Sequence, residues 1–239
     1  MKRAEIFKRL ASPAWLYSQA RDLLLDTRDS VSGGDFARLY RAVRPYTMSG
    51  NARLRGLYRA VHHMLSHDIP GDVVECGTAR GGSAALMGLA LRELGSPRRL
   101  WVFDTFEGLP APTENDPDFD IAKLYSGSCR GTLDEVTALF ETLGILDRSV
   151  LVKGLFQDTL PGASIGRIAV LHLDGDWYES VRVCLESLYD RVSAGGVIQI
   201  DDYGHWEGAR KAVDEFMRGR GIGIELSHLD YTGRQLVKP

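Results

Sequence analysis

Cysteine is scarce in this chain: Cys76, Cys129 and Cys184 are its three, with no paired spacing. That excludes a disulfide scaffold and the standard zinc and redox motifs, and the thiols read as reduced in a cytoplasmic protein. Long hydrophobic runs are missing as well, so no segment reads as a membrane span. The N-terminus is basic at Lys2 and Arg3, but Lys8 and Arg9 end the first apolar stretch early, and Ser12, Pro13, Ser18 and Gln19 break up the next. No signal-peptide core is expected there. An excess of one charge is also lacking: the formal net charge is −3. A nucleic-acid partner and a membrane-surface partner are therefore not expected. Internal repeats and low-complexity tracts do not occur. What remains is 239 residues of ordinary soluble composition, enough for one large α/β domain with a sizeable core.

The most informative stretch runs from Asp72 to Ser83. Asp72 to Cys76 reads as a short buried strand, Gly77, Gly81 and Gly82 allow a sharp turn, and a helix follows from about Ser83. Strand, glycine loop and helix is how an open α/β sheet holds a nucleotide-like ligand. The spacing is not G-x-G-x-x-G, which packs a pyrophosphate on the helix start. It is Glu75-x-Gly77-x-x-x-Gly81-Gly82, with an acid at the strand end. A carboxylate aimed into the loop repels phosphate and suits a cation. S-adenosylmethionine, which carries a sulfonium, an ammonium and no phosphate, fits. The plain alternative is a glycine-rich turn without a ligand.

Residues 1–70 lack strand-like runs and read as a helical segment, a cap or oligomerisation element, ahead of a ligand-binding domain at 71–239. Ile6, Phe7, Leu10, Trp15, Leu16 and Leu23 to Leu25 give amphipathic helices, and Leu54 to Leu65 another. His62, His63, His67 and Asp68 do not make a standard metal spacing. Leu100 to Phe103 is the second strand and ends in Asp104, where a ribose hydroxyl pair is gripped in such folds; Asp104 as the cap of the next turn is the alternative. Residues 105–131 are a long loop of the kind that forms lids. Thr132 to Glu135 is a capping box. Ser149 to Lys153 is a third strand, and Phe156 beyond it either lies on an adenine or fills core. Alternating strands and helices predict a mostly parallel sheet. Gly223 to Leu226 and Gln235 to Lys238, separated by turn residues, predict a closing antiparallel hairpin.

Two further strands end in acids. Arg167 to Leu173 leads into Asp174-Gly175-Asp176, and Gly196 to Ile200 leads into Asp201-Asp202. In a parallel sheet these ends share an edge with Gly77. Carboxylates converging there repel unless a cation sits among them, and oxygen-only ligands suit Mg²⁺. Asp174, Asp201 and Asp202 are the candidate ligands. Asp176, with Glu179 three residues on, reads as the cap of the next helix. His172 reads as structural. His205 and Trp206 are placed to border a substrate. The chemistry this suggests is in-line methyl transfer to a hydroxyl held beside Mg²⁺, with Asp174 accepting the proton.

Together, Glu75 to Gly82, Phe103 to Pro110, Gly154 to Pro161, Leu173 to Ser180 and Asp201 to Gly204 resemble the macrocin-type (TylF/MycF) sugar O-methyltransferases. Tyr46-Thr47-Met48 also fits that family's N-terminal element. The resemblance runs from about residue 45 to the end, in order. It implies a Rossmann-like class I methyltransferase sheet with N-terminal helices, and S-adenosylmethionine and Mg²⁺ as cofactors. It also implies a deoxysugar hydroxyl on a natural product as acceptor, and a homo-oligomer, dimer or tetramer. It implies that Asp174, Asp201 and Asp202 hold the metal. By the same resemblance the cofactor faces Thr47, Met48, Glu75, Gly77, Thr78, Ala79, Arg80, Gly81, Ser83, Asp104, Thr105, Phe156, Gln157 and Asp174. Val181 departs from the pattern, where relatives often carry Thr. The more distant catechol-type enzymes have a lysine base after the first metal Asp; Gly175-Asp176-Trp177 has none. A catechol or phenol acceptor is an alternative with the same metal chemistry. A nicotinamide-dependent oxidoreductase is a weaker one, because it predicts G-x-G-x-x-G and no acidic cluster. A non-catalytic cofactor-binding module is disfavoured by the complete acidic set.

Overall fold

The computed structural model describes residues 12–31 and 33–239. The helix expected around Ile6, Phe7 and Leu10 lies outside the described residues. Among the described residues seven strands form one sheet: β1 (Asp72–Cys76), β2 (Leu100–Asp104), β3 (Ser149–Lys153), β4 (Ile168–Leu173), β5 (Val192–Ile200), β6 (Ser227–His228) and β7 (Arg234–Val237). Their order is β3-β2-β1-β4-β5-β7-β6. The first five are parallel, and β7 runs antiparallel to β5 and β6. The predicted hairpin is present, but its first arm is Ser227–His228, not Gly223 to Leu226. Gly223 to Leu226 pairs with no strand.

The order reverses between β1 and β4, and a crevice at the carboxyl ends of such a pair is where open α/β sheets bind ligands. The register brings the functional residues to one level. Cys76 lies opposite Phe103 and Leu173, and Leu173 opposite Ile200. Gly77, Asp104, Asp174 and Asp201 each follow directly. Asp174 N donates to Cys76 O at 2.8 Å and Asp201 N to Leu173 O at 2.9 Å, so the ladder extends into the loops.

Both faces of the sheet are covered, as continuous apolar strands require. Val73 and Val74, adjacent in β1, enter different cores. The first core lies under α2 (Asp35–Val43), α3 (Asn51–Ser66), α4 (Gly82–Glu93) and α6 (Leu133–Thr142). The second lies under α8 (Tyr178–Leu188) and α9 (Glu207–Gly219). The helices α5 (Phe119–Ala122) and α7 (Phe156–Thr159) are single turns in the loops. The capping box at Thr132 and Glu135 opens α6 as predicted.

The first described helix, α1 (Pro13–Val31), is amphipathic in an unexpected sense. Its apolar Leu16, Tyr17, Leu23 and Leu24 are 53–72% exposed, while Ser18 and Asp29 are buried. Polar contacts hold it down: Asn51 Nδ2 and Arg55 Nη2 donate to Asp29, and Tyr40 Oη donates to Asp26.

Candidate active site

A cavity of about 630 Å³ opens at the carboxyl edge between β1 and β4. Gly77 makes its floor possible. Its φ is +89°, and a Cβ there would sit 1.9 Å from Asp174 O. A side chain would push the ends of β1 and β4 apart. Gly82 is equally tight, with a Cβ placed 2.6 Å from Tyr46 O. That closeness lets the segment 46–48 lie over the start of α4.

Of the residues expected to face a cofactor, Thr47, Met48, Gly77, Thr78, Ala79, Arg80, Ser83, Asp104, Thr105, Phe156, Gln157 and Asp174 line this cavity. Thr78 Oγ1 is buried with no hydrogen-bond partner among the described residues, a group open to a ligand's polar atom. Asp104 takes the role held as its alternative, capping the turn that follows it, and it also lines the cavity. Oδ2 accepts from the N–H groups of Thr78 and Ala79 at 2.7 and 3.1 Å, and Oδ1 accepts from Phe106 N at 2.7 Å. It ties the glycine loop to the next turn while remaining on the cavity wall.

Two expected residues are placed elsewhere. Gly81 is the N-cap of α4 at φ +85°, where a Cβ would contact Val136 and Phe140 rather than the cavity. Glu75 is wholly buried and is not on the cavity wall. The side-chain alternation of β1 sends it to the same face as His172 opposite, and His172 Nδ1 meets its Oε1 at 2.8 Å. Its Oε2 has no partner among the described residues. Against the expectation, the carboxylate does not open into the cavity, and one of its oxygens is spent on His172.

The acidic residues do converge. Ligand atoms of Asp174, Asp176 and Asp202 lie within 4.8 Å of one another, as do those of His172, Asp174 and Asp201. Asp174 is common to both groups. The histidines at 62, 63 and 67 form no such group among the described residues; His63 Nε2 instead meets Gly195 O at 3.1 Å. Asp176 is not the cap of α8. Its φ is +57° and its Oδ1 accepts from Trp206 Nε1 at 2.9 Å, so its carboxylate joins the cluster. The N–H at the start of α8 is taken by Asp116 from the loop after β2. Sequence spacing pointed to the nearer acid because it cannot see a cap supplied from 62 residues away.

Electrostatics separates the members. Burial raises Asp174, and the charges of Asp201 and Asp202 raise it further. Burial and then Asp202 raise Asp176 in the same way. Asp202 is pushed up to about 6 by burial and by Asp201. Asp201 goes the other way: despite burial, Arg53 and His172 hold it below the usual carboxylate range. Arg53 Nη1 and Ser49 Oγ donate to Asp201 Oδ2, and His172 Nε2 meets Oδ1 at 3.3 Å. Burial disfavours a charged His172, but its two carboxylate partners outweigh that and raise it to about 9. The cation anticipated among the acids is thus supplied in part by the chain itself. Sequence inspection missed Arg53, since α3 carries only an apolar period, and underrated His172.

Three carboxylates with raised proton affinity, open to one cavity, are a donor set suited to a hard dication such as Mg²⁺. Trp177, His205 and Trp206 border the acids, and Gly108 to Ala111, Thr113 and Tyr125 close the cavity from the long loop.

The sequence matches the macrocin O-methyltransferase (TylF) family over residues 17–237. The 8-demethyl-8-(2,3-dimethoxy-alpha-L-rhamnosyl)-tetracenomycin-C 4'-O-methyltransferase of Streptomyces olivaceus is 42% identical over 193 residues, covering 79% of this chain and 74% of that protein. The mycinamicin III 3''-O-methyltransferase of Micromonospora griseorubida is 36% identical over 196 residues, covering 79% and 76%. The solved structure of the O-methyltransferase NovP superposes with a TM-score of 0.75 at 35% identity, over 81% of this chain and 82% of that one. The glycine loop, the β1–β4 crevice and this match along most of its length make the chain a member of the macrocin O-methyltransferase (TylF) family.

Proposed function

We propose that this S-adenosylmethionine-dependent O-methyltransferase methylates a hydroxyl of a deoxysugar carried by an antibiotic-type natural product, with Mg²⁺ at the acidic cluster. The observation that carries the reading is the shared cavity: the glycine loop forms one wall and Asp174, Asp176 and Asp202 the other. The relatives named above act on rhamnosyl tetracenomycin and on mycinamicin III, which supports a glycosylated acceptor. Met48, Tyr125 and Leu155 are exposed on the cavity wall and suit an apolar aglycone.

In this reading Asp174 and Asp202 would hold the metal together with Asp201, whose carboxylate also meets Arg53 and His172, and Asp176 stands beside them. Bound at the site, S-adenosylmethionine would supply an electrophilic methyl, and Mg²⁺ would lower the pKa of a neighbouring hydroxyl. Thr78 and Asp104 orient the methyl donor, and the backbone of Gly77 lets it approach the sheet. Asp174 would accept the proton of that hydroxyl as the oxygen takes the methyl from the sulfonium, which would leave as the neutral thioether. Asp176 stands on the same wall and is the second group able to take that proton. Trp177 and Trp206 exclude water and align the sugar within attack distance.

Labelled S-adenosylmethionine offered with a panel of deoxysugar glycosides, with and without a chelator, tests the reading. Methyl incorporation that needs Mg²⁺ and is lost in Asp174→Asn is expected. Full activity in that variant, with no dependence on metal, rejects it.

A further inference from the structure

Arg53 projects from α3 into the acidic cluster, its side chain 17% exposed on the cavity wall. Its Nη1 donates to Asp201 Oδ2, and its Nε donates to Asp230 Oδ2 at 2.9 Å. Asp230 belongs to the turn between β6 and β7, where its Oδ1 also accepts from the N–H groups of Thr232 and Gly233. The guanidinium is therefore fixed between the metal-side acids and an acid that faces no metal group. Its charge also acts on Asp174 and Asp202.

We propose that Arg53 is a built-in counter-cation that offsets the carboxylate cluster in the metal-free protein and, by repelling the incoming ion, holds its Mg²⁺ affinity down. The proposal rests on the metal reading above. Carboxylates gathered in a half-buried crevice either take up protons or need positive charge nearby. A guanidinium does not lose its proton at any working pH, so it supplies that charge permanently. A dication entering beside Asp201 meets it at close range. Asp230 has the opposite influence, because it partly neutralises Arg53 from behind.

Opposite signs follow for two substitutions. Removing the charge of Arg53 leaves the cluster more negative and tightens metal binding. Removing the charge of Asp230 leaves Arg53 less compensated and weakens it. A merely structural Arg53, holding the hairpin turn and Asp201 in place, would give weaker binding in both.

The test is direct titration of the full chain with Mg²⁺ by calorimetry and with Mn²⁺ by electron paramagnetic resonance, at one alkaline pH. Circular dichroism of each variant reports folding. Arg53→Gln is expected to bind about tenfold tighter, Arg53→Lys close to the unsubstituted protein, and Asp230→Asn about threefold weaker. Weaker or unchanged binding in a folded Arg53→Gln overturns the proposal. Should that variant fail to fold, Arg53→Lys and Asp230→Asn decide together: Arg53→Lys keeps the charge but loses the two-armed contact, so weaker binding in Arg53→Lys, or unchanged or tighter binding in Asp230→Asn, overturns it. Absence of any metal binding by the unsubstituted protein removes the metal reading itself, and this proposal with it.

Discussion

Asp116 Oδ1 accepts a 2.7 Å hydrogen bond from the N–H of Tyr178, the first residue of α8. Two residues further on, Asp118 Oδ2 accepts from Glu207 N at the start of α9 at 3.3 Å. The loop over the cavity is thus pinned to two helix N-termini, where a carboxylate meets unpaired N–H groups and the positive end of the dipole. Its own backbone closes the arrangement, with Thr113 N donating to Asp116 Oδ2 at 2.8 Å.

Removing that pin should loosen the acceptor side of the cavity. Asp116→Ala is expected to lower stability by about 1 kcal/mol, the usual cost of a lost N-cap. It should raise KM for the acceptor while leaving S-adenosylmethionine binding near normal, because most of the residues expected to face the cofactor sit on other segments. Denaturant unfolding and steady-state kinetics with each substrate varied in turn will measure this. An unchanged acceptor KM would leave the pin a purely structural device.

Gly77→Ala should be severe. The substitution imposes an L side chain at φ +89° and places its Cβ 1.9 Å from Asp174 O. Strain at such a backbone costs about 1–3 kcal/mol before the overlap is counted. The separation of β1 from β4 should also abolish cofactor binding. Calorimetric titration with S-adenosylhomocysteine on whatever fraction remains folded is the check, and near-normal affinity would contradict the geometry.

Metal binding should release protons. Asp202 is raised to about 6, and Asp174 and Asp176 are also raised, so the metal-free cluster retains protons that a dication must displace. Mg²⁺ affinity should therefore climb with pH from below about 6 upward, by up to tenfold per unit for each proton displaced. Titrations in buffers of different ionisation enthalpy will report the proton count. A pH-independent affinity between 5 and 8 would mean that the acids are already ionised.

Much of this organisation is legible in the sequence, and the parts that are not share a cause. β1 to β5 follow from apolar runs with glycine, proline or acid punctuation, which are local signals. The convergence of Asp174, Asp201 and Asp202 follows from strand direction, because parallel strands put their carboxyl ends on one edge. What local patterns cannot give is which side chain answers which. Asp176 has the spacing of a cap, yet Asp116 takes that place from a distant loop. Glu75, read as a strand-end acid aimed into the glycine loop, is set opposite His172 by the register. Arg53 looks like an ordinary surface residue of α3, and only the packing of that helix near the carboxyl end of β5 brings it to Asp201. The outward apolar face of α1 is a similar surprise: its polar side is held by Asn51, Arg55 and Tyr40, which no helical period reveals.

The buried chain Glu75–His172–Asp201 carries the last prediction. His172 is wholly buried, with Nδ1 2.8 Å from Glu75 and Nε2 3.3 Å from Asp201. Both contacts are satisfied as donors only when the imidazole is protonated. Its pKa rises from an ordinary 6.5 to about 9, so the folded protein binds this proton more tightly than the unfolded chain. The resulting stability is fully present below about 6.5 and is lost as pH climbs through about 9. Above that, Glu75 and Asp201 share one neutral ring, and Glu75 Oε2 already has no partner among the described residues. In chelator-treated protein, His172→Gln should cost most near pH 6, and the gap to the unsubstituted protein should narrow toward pH 10. Urea unfolding of both proteins across that range will measure it. A gap that stays constant would show the imidazole to be neutral throughout, and the acids around Asp201 would then depend on Arg53 alone for positive charge.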